Sequence, residues 1–539
     1  MQRRGVQLLV VLGFFALLTV AMTWPQTLYL SSRATPHQDV YFNMWRLRWF
    51  AHALVTPSAH LFDANIFYPE PRTLAYSDAM LVEGAVAAPL VWAGMTPVLV
   101  HNLLLLGAIA VSGVAMCALA RYLTGSRGAG VIAGIVFAFA PYRFEHIMHM
   151  ELQWAMWTPL AFLALHRTFD TGKWKYGLAT GACIALQMLS SIYYGIFLAS
   201  LIALGAVLLM ARDRKVPLRR ALLPLAAGAV LAAAVSGAYA IPYLRVHDRV
   251  GDRSSGEVAA FSARPSSYLA ATPANWLYGR LSASRGGPER RLFPGVIPVA
   301  LAIAGLLLRS PSRRAIVYLL LLVAAFETSL GFGGYTYTFL YDHVSAYRGL
   351  RASARLGIFV LMFLGVLAAY GYQALVESRS AAIRAALATV LALGLLAEYH
   401  VTFGLAAYAN AASPIYRILA HHPRGVVAEF PVPRVDALPG PDAEYAYMST
   451  FHWFPLVNGY SGNYPPSYLA RLDRLRDFPD DRAIAQLRRD GVTYVIVHGS
   501  SYPGPALGEL RARIAAGGSL IELGSFDDVE GPAVLYRLQ

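Results

Sequence analysis

VLVHNLLLLGAIAVSGVAMCAL, from Val98 to Leu119, holds no aspartate, glutamate, lysine or arginine. A run of this length covers the roughly 20 residues that a helix needs to cross hydrocarbon. Barrel strands alternate apolar and polar positions, and this stretch does not. Only closed barrels and helices satisfy their backbone groups in lipid, so the run predicts a transmembrane helix. Similar runs lie at Val6–Met22, Tyr176–Leu189, Ala221–Ile241, Ala315–Leu330, Leu356–Leu375 and Ala385–Phe403. Counting the shorter ones, the chain divides into eleven apolar stretches separated by short loops. The 539 residues are 57% hydrophobic and 14% charged, with a mean hydropathy of +0.46. These values predict a mainly α, polytopic membrane bundle rather than two to four soluble domains.

The net charge of +14 does not form one basic patch, which argues against nucleic acid. Lysine and arginine collect at Arg3/Arg4, Arg121/Arg127, Arg167/Lys173/Lys175, Arg212/Arg214/Lys215/Arg219/Arg220, Arg309/Arg313/Arg314 and Arg379/Arg384. Successive clusters are separated by two apolar stretches. All lie on the cytoplasmic side if the N-terminus is cytoplasmic and the crossings number eleven. The opposite loops then face outward: 25–97, 141–149, 190–194, 242–291, 333–353 and everything after about Gly404. The first apolar run follows Arg3 and Arg4 but ends in Thr23-Trp24-Pro25 with no small-residue cleavage site, so it is read as an uncleaved helix. Cys117 and Cys183 both fall in apolar stretches, which predicts buried thiols and no disulfide framework.

The expected division is a membrane module, residues 1–404, with a large first outer loop at 25–97, followed by a soluble extracytoplasmic α/β domain at 405–539. In the first loop, Ala85–Gly94 is apolar, too short to cross and broken by Pro89, which suggests a re-entrant or juxtamembrane helix. Asp39–Leu54 interleaves Met44, Trp45, Trp49 and Phe50 with Arg46, Arg48 and His52. That mixture suits a helix in the headgroup layer, or a solvated helix packed on the rest of the loop. After residue 405, Val426–Val432, Thr493–His498, Leu520–Leu523 and Ala533–Leu538 read as strands, and Pro479–Asp490 and Ala506–Ala515 as helices. The aromatic stretch His452–Tyr468 is either a recognition loop or a packing segment.

Ionisable groups at membrane helix ends are costly, so their accumulation marks candidate chemistry. Asp39 is a candidate general base for an attacking hydroxyl, with the N-cap of the following helix as its structural alternative. In 141–153, helical spacing would put Glu145, His149 and Gln153 on one face, with His146 three residues from His149. This cluster, with Glu151, suits a divalent ion, substrate hydrogen bonding or a structural network; the His-Glu-x-x-His order of zinc proteases is absent. Arg348, Arg351 and Arg355 share one face if helical, and guanidinium forks suit phosphate oxygens, whether of a phosphorylated lipid substrate or of ordinary anionic lipid. Arg245 and Arg249 are weaker members of the same set. Glu83, Glu327 and Glu398 lie near outer helix ends, where pairing with those arginines would hold helices together.

The layout of cytoplasmic N-terminus, early acid, two helices in the first outer loop, polar second outer loop and outer C-terminal domain resembles the GT-C superfamily of polytopic glycosyltransferases. That superfamily includes protein O-mannosyltransferases, lipid A aminoarabinose transferases and the catalytic subunit of oligosaccharyltransferase. Stretches like Ser126-Arg127-Gly128-Ala129-Gly130, Phe139-Ala140-Pro141-Tyr142-Arg143 and Arg348 to Arg355 are similar to those of bacterial membrane proteins placed beside it. The resemblance implies a protein of the bacterial inner membrane that moves a sugar from a polyprenyl-phosphate-linked donor to an acceptor glycan, lipid or protein on the outer side. The family's catalytic carboxylate would be Asp39. Position 37 is His and position 41 is Tyr, so the paired Asp-x-Asp of several members is missing and a divalent cation is left open. Under this reading Arg348, Arg351 and Arg355 clamp phosphate, with Arg245 in support. His146, His149, Glu151 and Glu83 contact substrate, and all converge on one outer cavity. A lipid-linked glycan flippase would instead show paired broken helices or midplane charges in corresponding halves. A non-catalytic envelope assembly protein would tolerate loss of Asp39 and the arginines.

Overall fold

The computed structural model describes residues 2–213, 215–308, 310–402, 404–528 and 531–539. Arg214, Arg309 and Phe403, which figure in the predicted basic loops and last span, lie outside the described residues, as do the side chains of Arg3 and Arg4. The chain forms two compact units: Met1–Tyr29 with Leu103–Ala240 and Asp252–Gly404, and Leu30–Asn102 with Ile241–Gly251 and Leu405–Gln539. Segment Leu30–Asn102 therefore folds with the C-terminal segment, a grouping that chain order alone does not suggest.

Among the described residues, six helices are long and apolar enough to cross a membrane: Gly5–Met22, Pro97–Thr124, Ile192–Arg212, Leu218–Val250, Ser353–Val376 and Ala381–Tyr399. The expected eleven crossings would also require the shorter helices Arg127–Phe139, Trp157–Thr171, Trp174–Ser190, Val296–Leu307 and Arg313–Ser329. At 1.5 Å rise these measure roughly 18–26 Å against about 30 Å of hydrocarbon. Serine caps start several helices: the hydroxyls of Ser126, Ser312 and Ser380 accept from the amides of Ala129, Ala315 and Ile383. The Leu218–Val250 helix runs through Pro242, so the loop expected to begin there starts only after Val250.

In the first unit, helices approach through glycine. A Cβ at Gly177 or Gly181 would strike the backbone of Pro224 or Gly228, and one at Gly371 the backbone of Leu301. Gly177-x-x-x-Gly181 is the small-residue spacing by which membrane helices pack closely. The Gly357–Val376 helix is buried along nearly its whole length.

In the second unit, β1 (Arg33–Ala34) pairs antiparallel with β2 (Ala406–Ala407). A four-stranded sheet follows, built from β3 (Val426–Phe430), β4 (Val492–His498), β5 (Leu520–Asp528) and β6 (Gly531–Leu538) in the order β3-β4-β6-β5. β3 and β4 are parallel; β6 is antiparallel to β4 and β5. Val495, Val497, Val534 and Leu487 are fully buried in its core, under the Asp481–Arg489 helix. The helix Gln38–Val55 buries Trp45 completely, and Leu81–Trp92 lies so close that Gly84 has the Phe50 ring in the place of a Cβ. The stretch 452–468 packs. Phe67 N–H donates to Asn458 O at 3.0 Å, Tyr68 N–H to Leu456 O at 2.9 Å and Leu456 N–H to Asn65 O at 2.7 Å. These strand-like bonds zip the first loop to the C-terminal segment.

Candidate functional site

The predicted site residues fall in both units. Asp39, Glu83 and Arg245 belong to the second; His146, His149, Glu151, Arg348, Arg351 and Arg355 belong to the first.

Asp39 sits in the first turn of the Gln38–Val55 helix, where a carboxylate complements the helix dipole. It is not the N-cap. His37 takes that place, its Nδ1 accepting from Asp39 N–H at 3.1 Å. The same Nδ1 lies 3.3 Å from Asp39 Oδ2. One nitrogen cannot accept from the amide and present a proton to the carboxylate at once, so capping excludes an ion pair through that atom. Tyr460 O–H donates to Asp39 Oδ1 at 2.6 Å and fixes the carboxylate plane. Burial, then the Asp39 charge, pushes the Tyr460 hydroxyl far up, so it stays a donor. The Asp39 side chain is 15% exposed, partly desolvated but reachable.

Behind Tyr460 lies a buried polar network. Asp442 accepts from Tyr468 O–H and, at 3.1 Å, from Asn458 Nδ2. Asn458 Oδ1 accepts from Glu429 N–H at 2.8 Å, and Glu429 accepts from Tyr416 O–H at 2.6 Å and contacts His498 Nε2 at 2.7 Å. Burial pushes the Asp442 carboxyl up to about 7, with the neighbouring Glu429 charge adding to the rise.

Glu83 is fully buried in the first turn of Leu81–Trp92. Arg245 is exposed on the Leu218–Val250 helix, and Arg249 reaches Glu70 at 3.5 Å.

In the first unit, 141–153 is not one helix, contrary to the spacing argument. It forms two short helices, Pro141–Glu145 and Met150–Gln153. The Gln153 amide donates to Arg143 O at 2.9 Å and His146 O at 2.8 Å, taking carbonyls that a continuing helix would give to the amides of residues 147 and 150. Buried Arg143 answers by donating to Leu152 O and Gln153 O, both at 3.0 Å. Glu145 turns away to Arg291 at 2.7 Å. The loop still brings His146 and His149 together, Nδ1 to Nδ1 at 3.2 Å, which requires one donor and one acceptor. Burial pushes His146 down to about 3, so it is a neutral imidazole.

The arginines do not share a helix face either. Ser345–Arg348 and Ser353–Leu356 are separate short turns, with 349–352 between them non-helical. Arg348, exposed, donates to Tyr341 O at 3.2 Å and Asp342 O at 2.9 Å. Arg351 pairs with Glu257 at 3.2 Å. Arg355 grips Glu289 with both arms of its fork, Nε to Oε2 at 3.2 Å and Nη2 to Oε1 at 2.7 Å, and lies over the Tyr193 ring. Glu289 Oε2 is 4.0 Å from His146 Nε2. Burial works to raise the Glu289 carboxyl, but the Arg355 guanidinium wins and holds it well below the usual carboxylate range. Glu151, buried, adds its charge on Arg355. Two of the three arginines thus face carboxylates, and a phosphate at Arg351 or Arg355 would compete with Glu257 or Glu289.

Among the described residues, Glu327 and Glu398 pair with no arginine. Glu327 accepts from the amides of Tyr335 and Thr336, and Glu398 from Tyr278 O–H and the amides of Val296 and Ile297. Both cap neighbouring helices. The residues that sequence reasoning missed are Tyr460, Glu257 and Glu289. Glu289 stands 66 positions from Arg355 and Tyr460 stands 421 from Asp39, beyond any local spacing rule. Among the described residues no group of three or more His, Cys, Asp or Glu is placed to hold a metal ion.

No family model matches the chain, and no curated protein matches it. Among solved structures it is similar to the archaeal oligosaccharyltransferase AglB from Archaeoglobus fulgidus in complex with an inhibitory peptide and a dolichol-phosphate. That match has 12% identity over 98% of this chain and 74% of that one, with a TM-score of 0.49. It is also similar to ArnT from Cupriavidus metallidurans bound to undecaprenyl phosphate, with 12% identity over 100% of this chain and 98% of that one, TM-score 0.49. Apo ArnT gives 13% identity over 97% and 98%, TM-score 0.40.

Proposed function

We propose that this chain is an integral membrane glycosyltransferase that moves a sugar from a polyprenyl-phosphate-linked donor to a hydroxyl acceptor on the extracytoplasmic side. The observation that carries the reading is the setting of Asp39. It is a partly desolvated carboxylate at a helix start, with one oxygen oriented by the Tyr460 hydroxyl at 2.6 Å. A base in glycosyl transfer must accept a proton from the acceptor hydroxyl as the bond to the sugar forms, and Asp39 is assigned that role. Tyr460 is a positioning residue. Taken by itself, the first unit offers Arg348 and Arg351 as phosphate-binding candidates, with Arg355 held by Glu289 as the frame. The His146–His149 pair is assigned contact with the departing phosphate oxygen, where a neutral imidazole serves as hydrogen-bond donor. Each unit is taken by itself for supporting groups: Glu151 in the first and the exposed Arg245 in the second. A long apolar carrier suits a chain of apolar helices, and the site residues give no preference among sugars or acceptors.

The test is to purify the protein from its native membrane and identify co-bound lipid by mass spectrometry. A polyprenyl-phosphate sugar supports the reading. Its absence from the wild type, together with full transfer activity in Asp39→Asn, would overturn it.

A further inference from the structure

The second unit holds a cavity of about 330 Å³ whose wall includes Trp49, His52, Asp63, Glu70, Arg424 and Trp453. The volume is at the low end of the roughly 300–1,000 Å³ of small-molecule sites. Asp39 does not line it and precedes Trp49 on the same helix by roughly 15 Å at 1.5 Å rise per residue.

The wall combines aromatic faces with hydrogen-bonding groups of both kinds. Trp453 stacks on His52 with ring centroids 4.1 Å apart and planes 10° off parallel. Trp49 packs against Trp453 at 5.9 Å and 58°, its indole N–H anchored on Leu61 O at 2.8 Å. Asp63 Oδ1 accepts from Arg72 N–H at 2.7 Å, and Glu70 Oε1 accepts from Ser467 O–H at 2.7 Å. Each carboxylate keeps lone pairs for further donors. Arg424 is exposed, and its guanidinium carries no hydrogen bond or ion pair among the described residues. Burial, with Arg424 and Arg48 beside it, lowers the His52 pKa, so the imidazole keeps an acceptor nitrogen.

The backbone here is strained. Trp453 has φ 58° and Phe67, next to Tyr68 in the wall, φ 59°. A bulky side chain in the left-handed region is an outlier that persists only where its surroundings impose it, and such residues cluster at ligand clamps. Phe67 N–H is held by Asn458 O at 3.0 Å and Trp453 N–H by Ser449 O at 2.7 Å.

We propose that this cavity is a saccharide subsite that takes one pyranose ring of a neutral glycan. The C–H face of the ring rests against the tryptophans. Its hydroxyls donate to Asp63 and Glu70 and accept from Arg424. The carboxylate of Asp63, and that of Glu70 beside Arg249 at 3.5 Å, would repel the carboxylate of an acidic sugar. The assignment does not depend on the transferase reading, since it concerns binding at residues apart from Asp39.

The test is saturation-transfer NMR on the full-length protein in a detergent without a sugar headgroup. The probes are D-glucose, D-galactose, D-mannose and N-acetyl-D-glucosamine, with D-glucuronate and glycerol as controls. The expected result is saturable millimolar binding of at least one neutral pyranose, weaker binding of glucuronate, and none of glycerol. Arg424→Ala, at an exposed position, and Trp453→Gly, which relaxes φ 58°, should each weaken binding at least tenfold while the melting temperature is kept. Asp39→Asn should leave it unchanged. No saturable binding of any neutral pyranose, glucuronate or glycerol binding as well as the pyranoses, or unchanged affinity in both variants would overturn the assignment.

Discussion

At the scale of single residues, Asp39 and Asp442 show how environment divides the work of carboxylates. Asp39 is oriented by the Tyr460 hydroxyl and reachable; Asp442 is sealed in. Replacing Tyr460 by Phe removes the donor to Asp39 and should lower transfer about tenfold or more, as one hydrogen bond to a charged group is worth roughly 1.5–3 kcal/mol. A comparison of kcat for the two proteins checks this, and an unchanged kcat would remove Tyr460 from the mechanism. Asp442 holds its proton to about pH 7 when folded, against an ordinary value near 3.8 when unfolded. Its folded pKa is raised, so its contribution is fully present below about pH 4 and is lost as pH rises through 7, up to an order of 4 kcal/mol. Thermal melting of the wild type should therefore fall across pH 4 to 7 more steeply than that of Asp442→Asn; parallel curves would refute this. Asp39 was legible in the sequence as an early acid before a helix. Its partner was not, because a tyrosine in an aromatic-rich segment carries no mark of what its hydroxyl meets.

At the scale of elements, glycine spacing and side-chain capture of backbone groups explain what spacing rules got right and wrong. Gly181 faces the backbone of Gly228 with no room for a Cβ, so Gly181→Leu must part the Trp174–Ser190 and Leu218–Val250 helices. Overpacking of this kind costs about 1–3 kcal/mol or more. Melting of the detergent-solubilised variant should drop by several degrees, whereas Gly237→Leu, with open space around it, should not change it. The strands β3 to β6 were legible because buried apolar runs bounded by turns have few alternatives. The two helices expected at 141–153 and 348–355 were not realised. Gln153 withdraws the carbonyls needed in the first. In the second, Gly349 weakens the run and Leu350 N–H turns back to Tyr347 O, three residues away, as the arginines go to separate partners. A periodic pattern predicts a helix only if no side chain makes the backbone a better offer.

At the scale of the whole molecule, the membrane character rests on the six long apolar helices among the described residues and on a cationic bias in alternate loops. Reporter fusions should place residues near Lys215 in the cytoplasm and the C-terminus outside; the reverse result would invert the topology. Fold class was legible because lipid leaves the backbone so little choice. The joining of segment Leu30–Asn102 to the C-terminal segment was not, since hydrogen bonds such as Tyr68 to Leu456 link positions hundreds of residues apart without any local signature. Asp39 is proposed as the base for sugar transfer. The most direct measurement is transfer of radiolabelled hexose from polyprenyl-phosphate-linked hexoses to acceptor by membranes holding equal amounts of wild type and Asp39→Asn. The account predicts turnover by the wild type and a loss of about 10²–10⁴-fold in the variant, the usual worth of a general base. Equal turnover in the two would contradict it.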